Sequence, residues 1–274
     1  MSASPPPPGR PRRPTRADII APGFSTPMDS PLVPPFPFSF RNAEIMSVVY
    51  RTDPAAATAL LPPPLELAGD VVMVHIYRMN DTDWLGAYGE ANIMIPARLP
   101  GMKKAAGYSP WFFLDAPGGI AQGREVHGQP KKFARPRLRR RADIHLAQIV
   151  RDRVEVFTAT MAYKQRRAAI ADLKRWFDFS VNLNLKAIDH IDNRPAIRQL
   201  TARKLARVKV HECWRGACTA ELRPHIQAPL WRLPVAEALE GFYWRADFTL
   251  VAGQIVHDYL ARKPQSKRGK GGES

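Results

Sequence analysis

The segment "GREVHGQPKKFARPRLRRR", residues 123–141, places two adjacent lysines, Lys131 and Lys132, directly behind Pro130 and follows them with five arginines. Two chemistries use such a stretch, and they need opposite surroundings. A phosphate-binding surface keeps its cations solvated. An amine nucleophile must be neutral, and with an ordinary pKa of about 10.4 only about one lysine in 2,500 is neutral at pH 7. Bringing that pKa to about 6 or 7 takes about 5 kcal/mol against the ammonium, which an apolar pocket and a neighbouring cation supply. Pro130 stiffens the backbone before the pair. Successive side chains of an extended segment point to opposite sides, so one lysine can face a pocket while the other meets solvent or a carboxylate.

Other chemistries lack their residues. The chain has no G-x-x-x-x-G-K-[ST], no G-x-G-x-x-G behind a strand, no H-E-x-x-H and no G-x-S-x-G. Asp189, His190 and Asp192 in "AIDHIDNRP" read as a polar turn rather than a metal site, so no metal is expected. Cys213 and Cys218, in "HECWRGAC", are too few for a disulfide framework or a zinc knuckle. They favour the cytosol as compartment.

The elements that must hold the lysines are mostly strands. "FRNAEIMSVVYRTD" (40–53), "DVVMVHIYRMN" (70–80), "LGAYGEANIMIPARL" (85–99), "AAGYSPWFFLDA" (105–116) and "DRVEVFTATMAY" (152–163) are rich in β-branched and aromatic residues. "FDFSVNLNLKAI" (177–188) alternates an apolar face with a polar face of Asp178, Ser180, Asn182 and Asn184. "IRQLTARKLARVKVHECW" (197–214) reads as one long strand with a wet basic face. Asp53 caps a short helix begun by Pro54, and further helices are expected around "AAIADLKRW", over "LPVAEALEG" (233–241) and over "GQIVHDYLARK" (253–263). "RPRLRRRAD" is expected to run on as an exposed strand or turn.

The 274 residues, 45% hydrophobic, suffice for one substantial core. Forty-one Lys and Arg against 25 Asp and Glu give a net charge of +16. Residues 1–20 carry +3 of this and residues 262–274 carry +4, so much of the charge sits in expected tails. The reading is a disordered Pro- and Arg-rich leader at 1–35, one domain at 36–263 and a disordered basic tail at 264–274. No run approaches 18 apolar residues and the N-terminal stretch lacks an apolar h-region, so neither a membrane span nor a secretory signal is expected.

"GREVHGQPKKFARPRL" resembles the active-site strand of the acetoacetate decarboxylase family, in which a G-R-E triplet precedes P-K-K. "EIMSVVYRTD", "MNDTDWLGAYGE", "FTATMAYK", "VKVHECW", "APLWRLPV" and "HDYL" resemble further family segments, in order, from about residue 36 to 262. The family is itself a known instance of a lysine activated by desolvation or an adjoining cation. The resemblance implies a mainly β (α+β) fold, an antiparallel β-barrel or sandwich with a few short helices, and a homo-oligomer of unstated size. It implies that Lys131 forms a Schiff base with a β-keto acid, that Lys132 contributes charge or orientation, and that Glu90 of "GAYGE" acts on the departing carboxylate or a proton. Arg124 and Glu125 fall on the G-R-E and are read first as a structural ion pair. His127 and Gln129 are candidates for shaping the pocket. No cofactor is implied, because the imine itself is the electron sink.

Two positions depart from the family pattern. Its first-strand arginine aligns with Ala43, and Arg41, two residues earlier and roughly 7 Å away along a strand, is a candidate replacement. A second family glutamate aligns with His75, a candidate pocket group or a hydrogen-bonded core histidine. Three functions compete: a Schiff-base decarboxylase of a small β-keto acid, a Schiff-base aldolase or dehydratase on another oxo acid, and an inactive basic binding protein. Nucleic acid is the less favoured partner. The lysine pair is assigned to chemistry and the following arginines to the surface.

Overall fold

Why the central strands are apolar on both sides is explained by what covers them. In the computed structural model, which describes residues 13–261, the strand Phe38–Arg51 is paired antiparallel with Glu237–Leu250 on one side and Val71–Met79 on the other. One face, through Met46, Val48 and Tyr50, packs toward a four-stranded sheet. The other, through Phe38, Ile45 and Val49, packs into a second core within the curl of the large sheet. A strand buried on both faces has no position for a solvated side chain, and it reads as an apolar run.

The large sheet runs in the order Arg166–Arg167, Ala206–Gly216, Glu237–Leu250, Phe38–Arg51, Val71–Met79, Tyr88–Arg98, Ala106–Leu114, Asp178–Asp189, Pro195–Lys204, Gln254–Asp258. Only the pairing of Ala106–Leu114 with Asp178–Asp189 is parallel along this path, and the short strand Lys131–Phe133 also joins Ala106–Leu114 in parallel. The second sheet is Cys218–Leu222, Val154–Ala162, Ile144–Arg151, Arg135–Arg141. A single residue, Leu205, links Lys204 to Ala206, the ends of strands at nearly opposite ends of the sheet order. The large sheet therefore curls until its ends approach, without closing into a hydrogen-bonded barrel. The result is the sandwich form of the expected fold.

All six strands expected between residues 40 and 188 are present, as is the Asp53-capped helix Pro54–Thr58, whose cap oxygen accepts from the Ala55 amide at 2.9 Å. The helix around "AAIADLKRW" is Ile170–Lys174. Two expected helices are strands. "LPVAEALEG" follows the 3₁₀ turn Leu230–Arg232 and then enters Glu237–Leu250, and "GQIVHDYLARK" becomes Gln254–Asp258. The first is paired on both sides, with Phe38–Arg51 and Ala206–Gly216, and the second adds to the edge strand Pro195–Lys204, a tertiary gain that outweighs helix propensity. The long basic strand is two, Pro195–Lys204 and Ala206–Gly216. Strands at Ile144–Arg151 and Cys218–Leu222 were not anticipated. Arg135–Arg141 is the exposed strand expected of "RPRLRRR". Both cysteines are free.

Part of the expected leader, residues 13–35, is described and includes the helix Arg16–Ile20, capped by Thr15. The first twelve residues and residues 262–274, with the whole basic tail, lie outside the described residues. Among the described residues no helix is long and apolar enough to cross a membrane.

Candidate active site

Two glycines of "GREVHGQPKK" explain how the lysine reaches the interior. The helix Pro117–Gln122 widens at Gly123–His127 into a π-helical turn that ends at Gly128 in the left-handed region, φ +75°. A Cβ on Gly128 would stand 2.4 Å from the Lys186 Cα, and one on Gly123 would stand 2.4 Å from the Lys131 Cδ. Gly123 thus leaves the groove in which the lysine stem lies. The chain then enters Lys131–Phe133, with Lys131 in register with Phe112.

Alternation separates the two lysines. Lys131 is 6% exposed, and its Nζ donates to Glu90 Oε2 at 3.1 Å and lies 5.5 Å from the Phe112 ring centroid. Lys132 points to the opposite side, is exposed, and donates to the Gln227 carbonyl at 3.3 Å and to Gln227 Oε1 at 2.8 Å. Its expected contribution to the site has no direct contact to act through. Glu90, 8% exposed, is carried by Tyr88–Arg98 opposite Tyr77 and Leu114.

Lys131 and Glu90 face a small cavity of about 40 Å³, room for a few water molecules. Its apolar wall includes Phe38, Phe40, Phe248 and Leu250. Burial pushes the Lys131 amine below the ordinary lysine range. Glu90, by charge and hydrogen bond, opposes this, and Arg203 adds to it. Burial prevails, in the direction a carbonyl nucleophile needs.

Gln129 lines the same cavity, and its Nε2 donates to Asn182 Oδ1 at 3.3 Å. Asn182 belongs to a buried chain in which its Nδ2 donates to Ser109 Oγ at 2.7 Å and Ser109 donates to Asn92 Oδ1 at 2.7 Å. The polar face of Asp178–Asp189 is therefore interior at Ser180, Asn182 and Asn184.

Arg41 is not at the cavity. The register slips between Phe40 and Ala43, with Asn42 at φ +52°, so a bulge adds a residue and Phe40 and Ala43 both face inward. Arg41 is turned outward, where Nε meets Asp81 at 2.6 Å and Nη2 meets Asp83 at 2.5 Å. His75 is fully buried but does not line the cavity. Ser47 Oγ lies 2.7 Å from its Nδ1, and Trp244 Nε1 donates to Ser47 at 2.9 Å. Burial lowers its pKa to about 3, so it is a neutral core histidine.

The expected ion pair of Arg124 with Glu125 is not formed. Both side chains are exposed, and Arg124 Nη1 donates instead to the Lys131 carbonyl at 3.4 Å. His127 is buried against Phe36, ring centroids 5.1 Å apart, beside a separate cavity, and its carbonyl accepts from Thr201 Oγ1 at 2.6 Å. Burial, with Arg203, Lys131 and Lys186 nearby, lowers its pKa to about 3.

Two polar residues at the cavity were missed, Gln122 and Arg203. Arg203 sits in register with Asn182, on the alternating polar face that the sequence reading placed in water. The alternation was the available signal, and the inward curl of the sheet was not visible in it. Among the described residues no group of three or more His, Cys, Asp or Glu could hold a metal ion, and the Asp189–Asp192 segment is a turn closed by the His190 amide on the Arg194 carbonyl at 2.8 Å.

The family profile "Acetoacetate decarboxylase (ADC)" matches residues 21–260. Acetoacetate decarboxylase 2 of Mesorhizobium japonicum is 37% identical over 253 residues, 92% of this chain and 96% of its own length. Acetoacetate decarboxylase of Chromobacterium violaceum is 38% identical over 241 residues, 86% of this chain and 95% of its own. A solved acetoacetate decarboxylase superposes with a TM-score of 0.84 at 34% identity, covering 90% of this chain and all of that one. The biosynthetic enzyme MppR, solved with pyruvate, shares the fold at a TM-score of 0.73 and 21% identity, covering 86% of this chain and 98% of its own. Sequence, fold and a buried lysine on the P-K-K segment agree: the chain belongs to the acetoacetate decarboxylase family, enzymes of the carboxy-lyase class.

Proposed function

We propose that the protein decarboxylates a small β-keto acid through a Schiff base on Lys131. The supporting observation is the amine of Lys131, on a side chain only 6% exposed, pushed by burial toward its neutral form and held 3.1 Å from Glu90. The amine adds to the keto carbon, and loss of water leaves an iminium. The C–C bond to the carboxylate breaks, its electron pair moves into the iminium, and CO₂ departs. The resulting enamine takes a proton on carbon, and water releases the ketone and restores the amine. Glu90 is the group placed to move a proton at Nζ during addition and hydrolysis. The apolar wall keeps bulk water from the charged intermediates.

Ala43, where the resemblance expects a cation, favours a second reading in which the carboxylate is kept and the imine serves condensation or dehydration. Borohydride reduction with acetoacetate, read by peptide mass, separates them. The expected product is an isopropyl group on Lys131, absent in Lys131→Ala. A reduced adduct that retains the carboxylate would support the second reading, and no adduct with any oxo acid would overturn both.

A further inference from the structure

The cavity beside Lys131 holds hydrogen-bond donors that no group of the protein fills. Arg203 Nε and Gln122 Nε2 are buried there without a partner. The guanidinium's hydrogen-bond acceptor, Asn182 Oδ1, is 3.5 Å from Nη2 and already accepts from Gln129 at 3.3 Å and from Asn184 at 3.2 Å. Glu90 is engaged by Lys131, and no ion pair joins it to Arg203 among the described residues. A half-buried guanidinium whose Nε is dry and unfilled is costly unless an anion arrives to fill it. The remaining walls are largely aromatic and aliphatic, so that anion must come with the ligand.

The first-strand position tells the same story from the other side. Ala43 is fully buried opposite Ala246, a pair that brings no charge to the cavity, and Arg41 is committed to Asp81 and Asp83 outside. Arg203 enters instead from Pro195–Lys204, brought to the cavity by the curl that places Leu205 beside Phe38 and Phe248 in its wall.

We propose that Arg203, assisted by Gln122, is the seat for the substrate's carboxylate, a role that rests on Lys131 as the imine-forming group. A carboxylate offers two coplanar oxygens to the guanidinium fork, and Gln122 adds a donor from the turn that precedes Gly123. An ion pair made in the bound acid and lost as CO₂ leaves contributes to binding more than to the chemical step. Arg203 is thus a substrate-binding group, and the site selects acids over neutral ketones.

The test is Arg203→Gln beside Arg203→Lys, assayed for kcat and KM on acetoacetate and for borohydride trapping of acetone, which has a keto group and no carboxylate. Arg203→Gln is expected to raise KM for acetoacetate about 10- to 100-fold, the worth of charged hydrogen bonds, and to leave acetone trapping intact. Arg203→Lys restores part of the KM. Because Arg203 lowers the Lys131 pKa, Arg203→Gln also moves the acid limb of the kcat/KM profile to higher pH. An unchanged KM, or equal loss of acetone trapping and acetoacetate turnover, would overturn the proposal alone. Failure of the unmodified enzyme to trap either ketone would overturn the Lys131 reading and this one together. Should Arg203→Gln not fold, the unmodified enzyme still decides: butanoate is expected to inhibit competitively at least tenfold better than butanamide, and equal inhibition would sink the carboxylate seat.

Discussion

Two lysine–glutamate pairs lie on opposite sides of the large sheet. Lys131 meets Glu90 at 3.1 Å inside the curl, with side chains 6% and 11% exposed, and Lys164 meets Glu212 at 2.7 Å in the polar cleft between the sheets, at 28% and 18%. The shorter contact belongs to the wetter pair. There Glu212 also accepts from Trp214 at 2.9 Å and faces Arg245 at 3.4 Å. Burial alone would raise its carboxyl pKa, but Lys164, Trp214 and Arg245 together pull it below the ordinary range. In the curl the balance is reversed, and burial outweighs what Glu90 does for the Lys131 ammonium. The difference teaches that water exclusion, rather than contact length or charge count, decides which way a paired group's pKa moves.

The sharpest way to break this contrast is to neutralise each carboxylate in turn. Glu90→Gln is expected to lower kcat about 10²- to 10⁴-fold, the usual worth of a positioned proton-transfer group. Because Glu90 raises the Lys131 pKa, its loss moves the acid limb of the kcat/KM profile to lower pH. Glu212→Gln is expected to change neither quantity. A pH–rate series on both variants checks this, and equal losses would erase the distinction between the regions.

Acid stability gives a second, smaller contrast. His75 and His127, on the inner side, are held neutral to about 3, and His145, stacked on Tyr243 at 4.1 Å beside the Lys164 cleft, to about 4. In the unfolded chain each takes a proton near pH 6.5, so the unfolded state binds more protons in the window below that value. Stability is therefore full above about pH 6.5 and falls as pH drops toward 3 to 4, by about 1.4 kcal/mol per pH unit for each histidine. Urea unfolding at pH 7 and 5.5 should show a shallower loss in His75→Gln and in His145→Gln. A loss unchanged in both variants would show that burial of these rings is not its source.

The smallest effect is expected of Lys164→Met, a cost of at most about 1 kcal/mol in urea unfolding, as for other partly solvated pairs, and unchanged turnover. The Glu212 contribution, present above the ordinary carboxylate range, is lost as pH falls through its lowered pKa. A large stability loss for Lys164→Met at neutral pH would place its cleft among the buried sites.

The candidate site was legible where chemistry is written in consecutive residues. "GQPKKF" showed that one lysine could turn inward, and the glycines at 123 and 128 stand where a side chain would strike Lys131 or Lys186. Alternation failed where the backbone broke its own period. The bulge at Asn42 reversed the side on which Arg41 lies, and no residue type in "FRNAE" announces an extra residue in one strand. It failed again at Arg203, since polar alternation marks a distinct face, as it did at Asn182, without saying whether water or another sheet edge covers it. The helical reading of 253–263 failed because local propensity cannot register the open edge at Gln199–Ala202 on which Gln254–Asp258 pairs.

By itself the sequence determined the strand-rich fold, the family and Lys131 as the candidate for chemistry, because these rest on short-range pattern and collinear motifs. Tertiary structure alone decided that Lys131 is dry while Lys132 is wet, that His75 is a core group, and that the cavity's cation comes from Arg203. Each of these depends on how far the large sheet curls. Curling brings distant strands to one cavity and removes the water on which every local expectation of charge depends.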